Sequence, residues 1–175
     1  MSGITRRWAA RIAGVAATAT LVVGGTTGTS FAIENPPNVN LTANFAVVAT
    51  THPDTTGCNG YKVTGTGTAT GNPSAGVWSQ TEDACTATIP GKYEIKGTAM
   101  ITEPDGDKFK ISYHLTAPLT GDTMVYPTGT FSILRGEGLY EDATGSGTMK
   151  ATVNLLDHDH VTANLSGYLR FYWQI

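Results

Sequence analysis

Three features of the sequence predict an all-β protein built as a single antiparallel β-barrel of about eight strands. Apolar and polar residues alternate with period two over most of the chain. Gly (21 residues) and Thr (29) are abundant in a chain of 175, while charged residues make up only 14%, a composition that suits strands and turns better than helices. No stretch carries the 3.6-residue repeat of an amphipathic helix. A closed sheet is preferred because it leaves no strand edge exposed. A two-sheet sandwich is the alternative, since alternation does not distinguish a sheet that closes from one that splits. The length suits one domain, and 40% apolar residues are enough for a folded core.

Residues 1–32 read as a cleavable export signal. Arg6, Arg7 and Arg11 give a positive start, a small and apolar run follows from Ile12 to Gly25, and Ser30 and Ala32 occupy the small-residue positions of a signal-peptidase site. Cleavage is expected after Ala32, which predicts a secreted, extracellular protein. The apolar run is shorter than the ~20 residues a membrane-spanning helix needs, so no stable membrane insertion is expected once the signal is removed. Residues 33–40, with Asn35-Pro36-Pro37-Asn38, read as an extended lead-in, and 41–175 as the barrel.

Within the barrel, Leu41, Ala43, Phe45, Val47 and Ala49 set the first inward face, and Tyr61, Val63, Gly65, Gly67 and Ala69 the second. A less regular stretch from Val77 to Ile89 follows. Tyr93, Ile95, Gly97, Ala99 and Ile101 then alternate with charged residues and Thr, and Pro104-Asp105-Gly106-Asp107 is a turn in which Pro fixes φ and Gly accepts φ > 0. Phe109, Ile111, Tyr113 and Leu115 form the return strand, another runs from about Val125 to Ile133, and Met149, Ala151, Val153 and Leu155 mark the next. The final strand has the cleanest pattern, from Val161 through Phe171 and Trp173 to Ile175. Asp157-His158-Asp159-His160 lies before it, where a polar hairpin turn is expected.

Cys58 and Cys85 are the two cysteines, and in an exported chain they are expected to form a disulfide. Closing that loop is worth about 3 kcal/mol in the chain-entropy account. Residues 33–175 hold 8 Lys+Arg and 14 Asp+Glu, a net charge of −6, and the basic residues are scattered. This excludes nucleic-acid binding, which needs a basic track along a phosphate backbone. The inward positions assigned from alternation carry no Asp, Glu, Lys or His. No carboxylate pair, Ser/His/Asp arrangement or nucleophile elbow is present, so no catalytic residue and no cofactor is assigned. His158 and His160 are two apart, a spacing at which strand side chains share a face and could chelate a metal, but no third ligand accompanies them and no metal site is assigned. The inward Gly65, Gly67, Gly97 and Gly167 either leave room for a ligand or let strands bend, and bending is the reading preferred for a small barrel.

The run from Gly129 to Gly147, GTFSILRGEGLYEDATGSG, consists of a strand, a glycine turn, Tyr140 and a second glycine turn. Together with the upstream GTAMITEPDGDKFKISYHLT, it resembles the hairpins of barrel proteins related to allene oxide cyclase and the plant dirigent proteins, especially small secreted actinobacterial members. The resemblance implies an eight-stranded antiparallel barrel with an apolar cavity that holds a hydrophobic or phenolic substrate while it cyclises or couples.

The expected function is binding of a small hydrophobic ligand, or action at the cell surface, with Tyr93, Tyr113, Phe171 and Trp173 as candidate lining. The alternatives are a cyclase- or dirigent-like enzyme that confines a reactive apolar substrate, and a packed interaction module without a cavity. No oligomeric state is assigned.

Overall fold

The computed structural model describes residues 38–52 and 57–171. The expected signal peptide, nearly all of the lead-in, and Trp173 lie outside them. Nine strands form one antiparallel sheet: β1 (Val39–Thr51), β2 (Gly60–Asn72), β3 (Gly76–Cys85), β4 (Lys92–Thr102), β5 (Lys108–Pro118), β6 (Met124–Val125), β7 (Thr128–Glu137), β8 (Ala143–Asn154) and β9 (Asp157–Phe171). Eight of them close into a barrel in the order β1-β2-β3-β4-β5-β7-β8-β9, with β9 returning to pair β1. The ninth, β6, adds two residues beside the end of β8.

Closure follows from the alternation. In β9 the residues Val161, Ala163, Leu165, Gly167 and Leu169 are all buried between exposed or half-exposed polar neighbours, and β5 buries Phe109, Ile111, Tyr113, Leu115 and Ala117 in the same way. Each strand thus gives one apolar face to a common interior and a polar face to solvent. The row Glu82, Gly97, Tyr113, Phe131 and Gly147 runs directly across β3, β4, β5, β7 and β8.

Two connections differ from the sequence expectation. The strand expected from Val125 to Ile133 is broken into β6 and β7 at Tyr126-Pro127, because Pro has no N–H to give the ladder. The hairpin turn expected at Asp157–His160 instead lies at Leu155-Leu156, and Asp157–His160 already belongs to β9. Asn154 Oδ1 accepts from the Leu156 N–H at 3.0 Å, a local bond that closes the turn earlier than its polarity suggests.

The two ends of the barrel are built differently. At one, the 3-10 turn Gly138–Tyr140 between β7 and β8 carries Tyr140 into the interior as a plug. Its ring packs edge-on to Phe109, 5.3 Å between centroids, and lies 6.4 Å from Phe171. The hydroxyl donates to Glu103 Oε1 at 2.6 Å and is 2.9 Å from the Pro73 carbonyl oxygen. At the other end the Cys58–Cys85 disulfide, with Cα atoms 4.6 Å apart, ties the segment leading into β2 to the end of β3. No helix among the described residues is long and apolar enough to cross a membrane.

Candidate functional site: a cavity at the disulfide end

The disulfide end is hollow. A cavity of about 350 Å³ is walled by Phe45, Val47 and Ala49 of β1, Val63 of β2, Ile95 of β4, Leu115 of β5, and Met149, Ala151 and Val153 of β8. Their side chains are aliphatic or aromatic and point inward by the strand alternation described above. Tyr61, Tyr93, Leu155 and His158 stand at the mouth. A volume of this size is in the range of small-molecule pockets and well above that of a single water.

β3 contributes the polar part of the wall. Its inward positions are Trp78, Gln80, Glu82 and Ala84, so this stretch, which the alternation left unassigned, adds a carboxyl to the inward set: Glu82 faces the cavity. These side chains form a hydrogen-bonded chain. Trp78 Nε1 donates to Gln80 Oε1 at 3.1 Å, and Gln80 Nε2 donates to Glu82 Oε2 at 3.3 Å. From β5, on the far side of β4, Tyr113 donates its phenol proton to the same Oε2 at 2.6 Å.

Gly97 makes that last bond possible. It lies between Glu82 and Tyr113 in the row, and a Cβ there would meet both the Tyr113 hydroxyl and Glu82 Cβ at 2.6 Å. The ring of Tyr113 therefore lies across the bare backbone of β4 to reach β3. Gly65 similarly makes room for the Phe45 ring, whereas a Cβ at Gly67 or Gly167 would meet the backbone of the adjacent strand. At Gly65 and Gly97, therefore, the space is taken by a neighbouring side chain and not left for a ligand.

Burial pushes the Glu82 carboxyl above its ordinary range. The Tyr113 hydrogen bond works in the opposite direction, and neighbouring Asp83 reinforces the rise. Tyr113 is also pushed up, first by burial and then by the charge of Glu82, so its phenol remains a proton donor at neutral pH. Among the described residues that line the cavity there is no Lys or Arg, and Glu82 is the one carboxyl.

The structure separates the residues nominated from sequence. Tyr93 stands in the cavity wall. Tyr113 is buried beneath it and reaches the site through Glu82. Phe171 packs beside Tyr140 at the plugged end, away from the cavity. His158 is at the mouth, and His160 Nδ1 lies 2.9 Å from Asp157 Oδ2. Among the described residues, the one group of three side chains close enough to share an ion is Glu103, Asp105 and Asp107, in the β4–β5 turn at the plugged end, and it includes neither histidine.

Glu82 and Gln80 were hidden from sequence reasoning because they are polar at inward positions, which made β3 look irregular. The available signal was the count of two from Trp78. Compared with protein-family models, with curated proteins and with solved structures, the chain matches none.

Proposed function

We propose that this is a secreted barrel that binds a small hydrophobic molecule in the cavity at its disulfide end. The observation that carries this reading is the cavity itself: about 350 Å³ with mostly apolar walls. A packed interaction module would have no need of such space. The exposed apolar side chains support the reading as well. Tyr61, Leu119, Met124, Tyr126, Leu155 and Leu156 gather at the cavity end, against Val77, Leu134 and Tyr168 toward the plugged end, and they would ease passage of an apolar molecule from water into the barrel.

Export is supported by the signal-like residues 1–32 and by the disulfide, which persists in oxidising surroundings. A polar exterior around an apolar interior is the inverse of a lipid-embedded barrel and supports a life in water. The resemblance to allene oxide cyclase and dirigent barrels is consistent with the cavity. The cyclase-like alternative draws its support from Glu82, an acid facing the space where a substrate would sit.

A solvatochromic apolar dye tests the binding reading. Uptake by the wild type with a blue shift, and loss of that uptake in Ala151→Trp, whose indole would occupy the cavity, is the expected result. Dye bound equally by both proteins, or by neither, would overturn it.

A further inference from the structure

We infer that the cavity's preferred occupant is an apolar amine, held by its ammonium group against Glu82. The inference rests on the reading of the cavity as a ligand site and names the chemistry of the ligand. Both protein donors that reach the Glu82 carboxyl, Tyr113 and Gln80, go to Oε2. Among the described residues none donates to Oε1, so one carboxylate oxygen in the cavity wall remains open to an occupant.

The surroundings then decide which donor fits. A carboxylate in an apolar cavity is costly to desolvate and gains most from a partner of opposite charge, yet among the described residues the wall supplies no Lys or Arg, and its one histidine, His158, stands at the mouth. An ammonium would provide that charge together with hydrogen bonds about twice as strong as those of a neutral hydroxyl. The aromatic side chains of Phe45, Tyr61 and Tyr93 line the same space, and aromatic rings attract a cation placed over their faces. A carboxylate ligand would meet Glu82 with like charge, and it would approach a chain whose residues 33–175 carry a net charge of −6. The apolar walls would hold the hydrocarbon part.

Four probes that share one ring system separate these contributions: naphthylethylamine, naphthylethanol, naphthylacetate and ethylnaphthalene, titrated calorimetrically at neutral pH into the full chain with its disulfide formed. The amine is expected to bind about tenfold tighter than the alcohol or the hydrocarbon, with the carboxylate weakest. Glu82→Gln, which keeps an acceptor for Tyr113 but removes the charge, should bind ethylnaphthalene as before and lose the advantage for the amine. Tyr113→Phe should retain that advantage.

Equal affinity of the wild type for amine and alcohol would overturn the inference while leaving the cavity as a site for apolar molecules. So would an amine advantage that survives in Glu82→Gln. Failure of all four probes, ethylnaphthalene included, would overturn the binding reading and this inference together.

Discussion

The two ends of this barrel hold the same pair of side chains in different settings. At the plugged end Tyr140 donates to Glu103 at 2.6 Å, and at the cavity end Tyr113 donates to Glu82 at the same distance. Glu103 and Tyr140 are both buried, the phenol also meets the Pro73 carbonyl, and the rings of Phe109 and Phe171 pack against it. That pair seals the barrel. Glu82 forms part of a wall with empty space in front of it, and among the described residues only one of its oxygens is engaged. Chemistry at the level of residue types is therefore equal at the two ends, and packing decides which pair is structural and which can meet a ligand.

Substitutions should separate the ends. The largest effect is expected for Tyr140→Ala, which removes the plug ring from a filled region and should cost about 4 kcal/mol in denaturant unfolding. Tyr93→Ala, at the half-exposed mouth, should cost under about 1 kcal/mol in the same measurement. Comparable losses for the two variants would contradict the view that one end is packed and the other open.

A smaller effect of opposite sign is expected for Glu82→Gln. The folded-state pKa of Glu82 is raised, so the folded barrel favours the neutral acid. Stability attributable to this group is then greatest at acid pH, declines as pH rises from the ordinary carboxyl value toward the raised one, and stays low above it. At neutral pH Glu82→Gln should be more stable than the wild type in denaturant unfolding, and the difference should vanish on acidification. A variant less stable than the wild type at neutral pH would show that the ionised carboxyl is better compensated than its surroundings indicate.

The architecture was legible in the sequence because a half-buried strand writes its face in every second residue. The alternation of β9, from Val161 to Leu169, and of β5, from Phe109 to Ala117, maps directly onto the interior. Alternation identifies a face, however, and not a height along the barrel axis. Phe171 and Tyr93 were nominated together as inward aromatics, yet antiparallel strands tilted around a closed sheet carry them to opposite ends. The polar wall was not legible either, because Gln80 and Glu82 occupy inward positions that the apolar pattern is used to detect. Gly97 left a trace of it: a glycine amid inward apolar residues marks a place where a neighbour's side chain crosses the strand. Which neighbour crosses depends on the register of β4 against β3 and β5, and register is a property of the assembled sheet.

The central claim is that the disulfide end encloses a space an apolar molecule enters. Methyl NMR of the full chain, titrated with ethylnaphthalene, tests it most directly. The account predicts shifts concentrated on Val47, Val63, Ile95, Leu115 and Val153, with the methyls of Leu41 and Leu169 near the plug unmoved. Shifts confined to outward-facing residues, or spread equally over both ends, would contradict it.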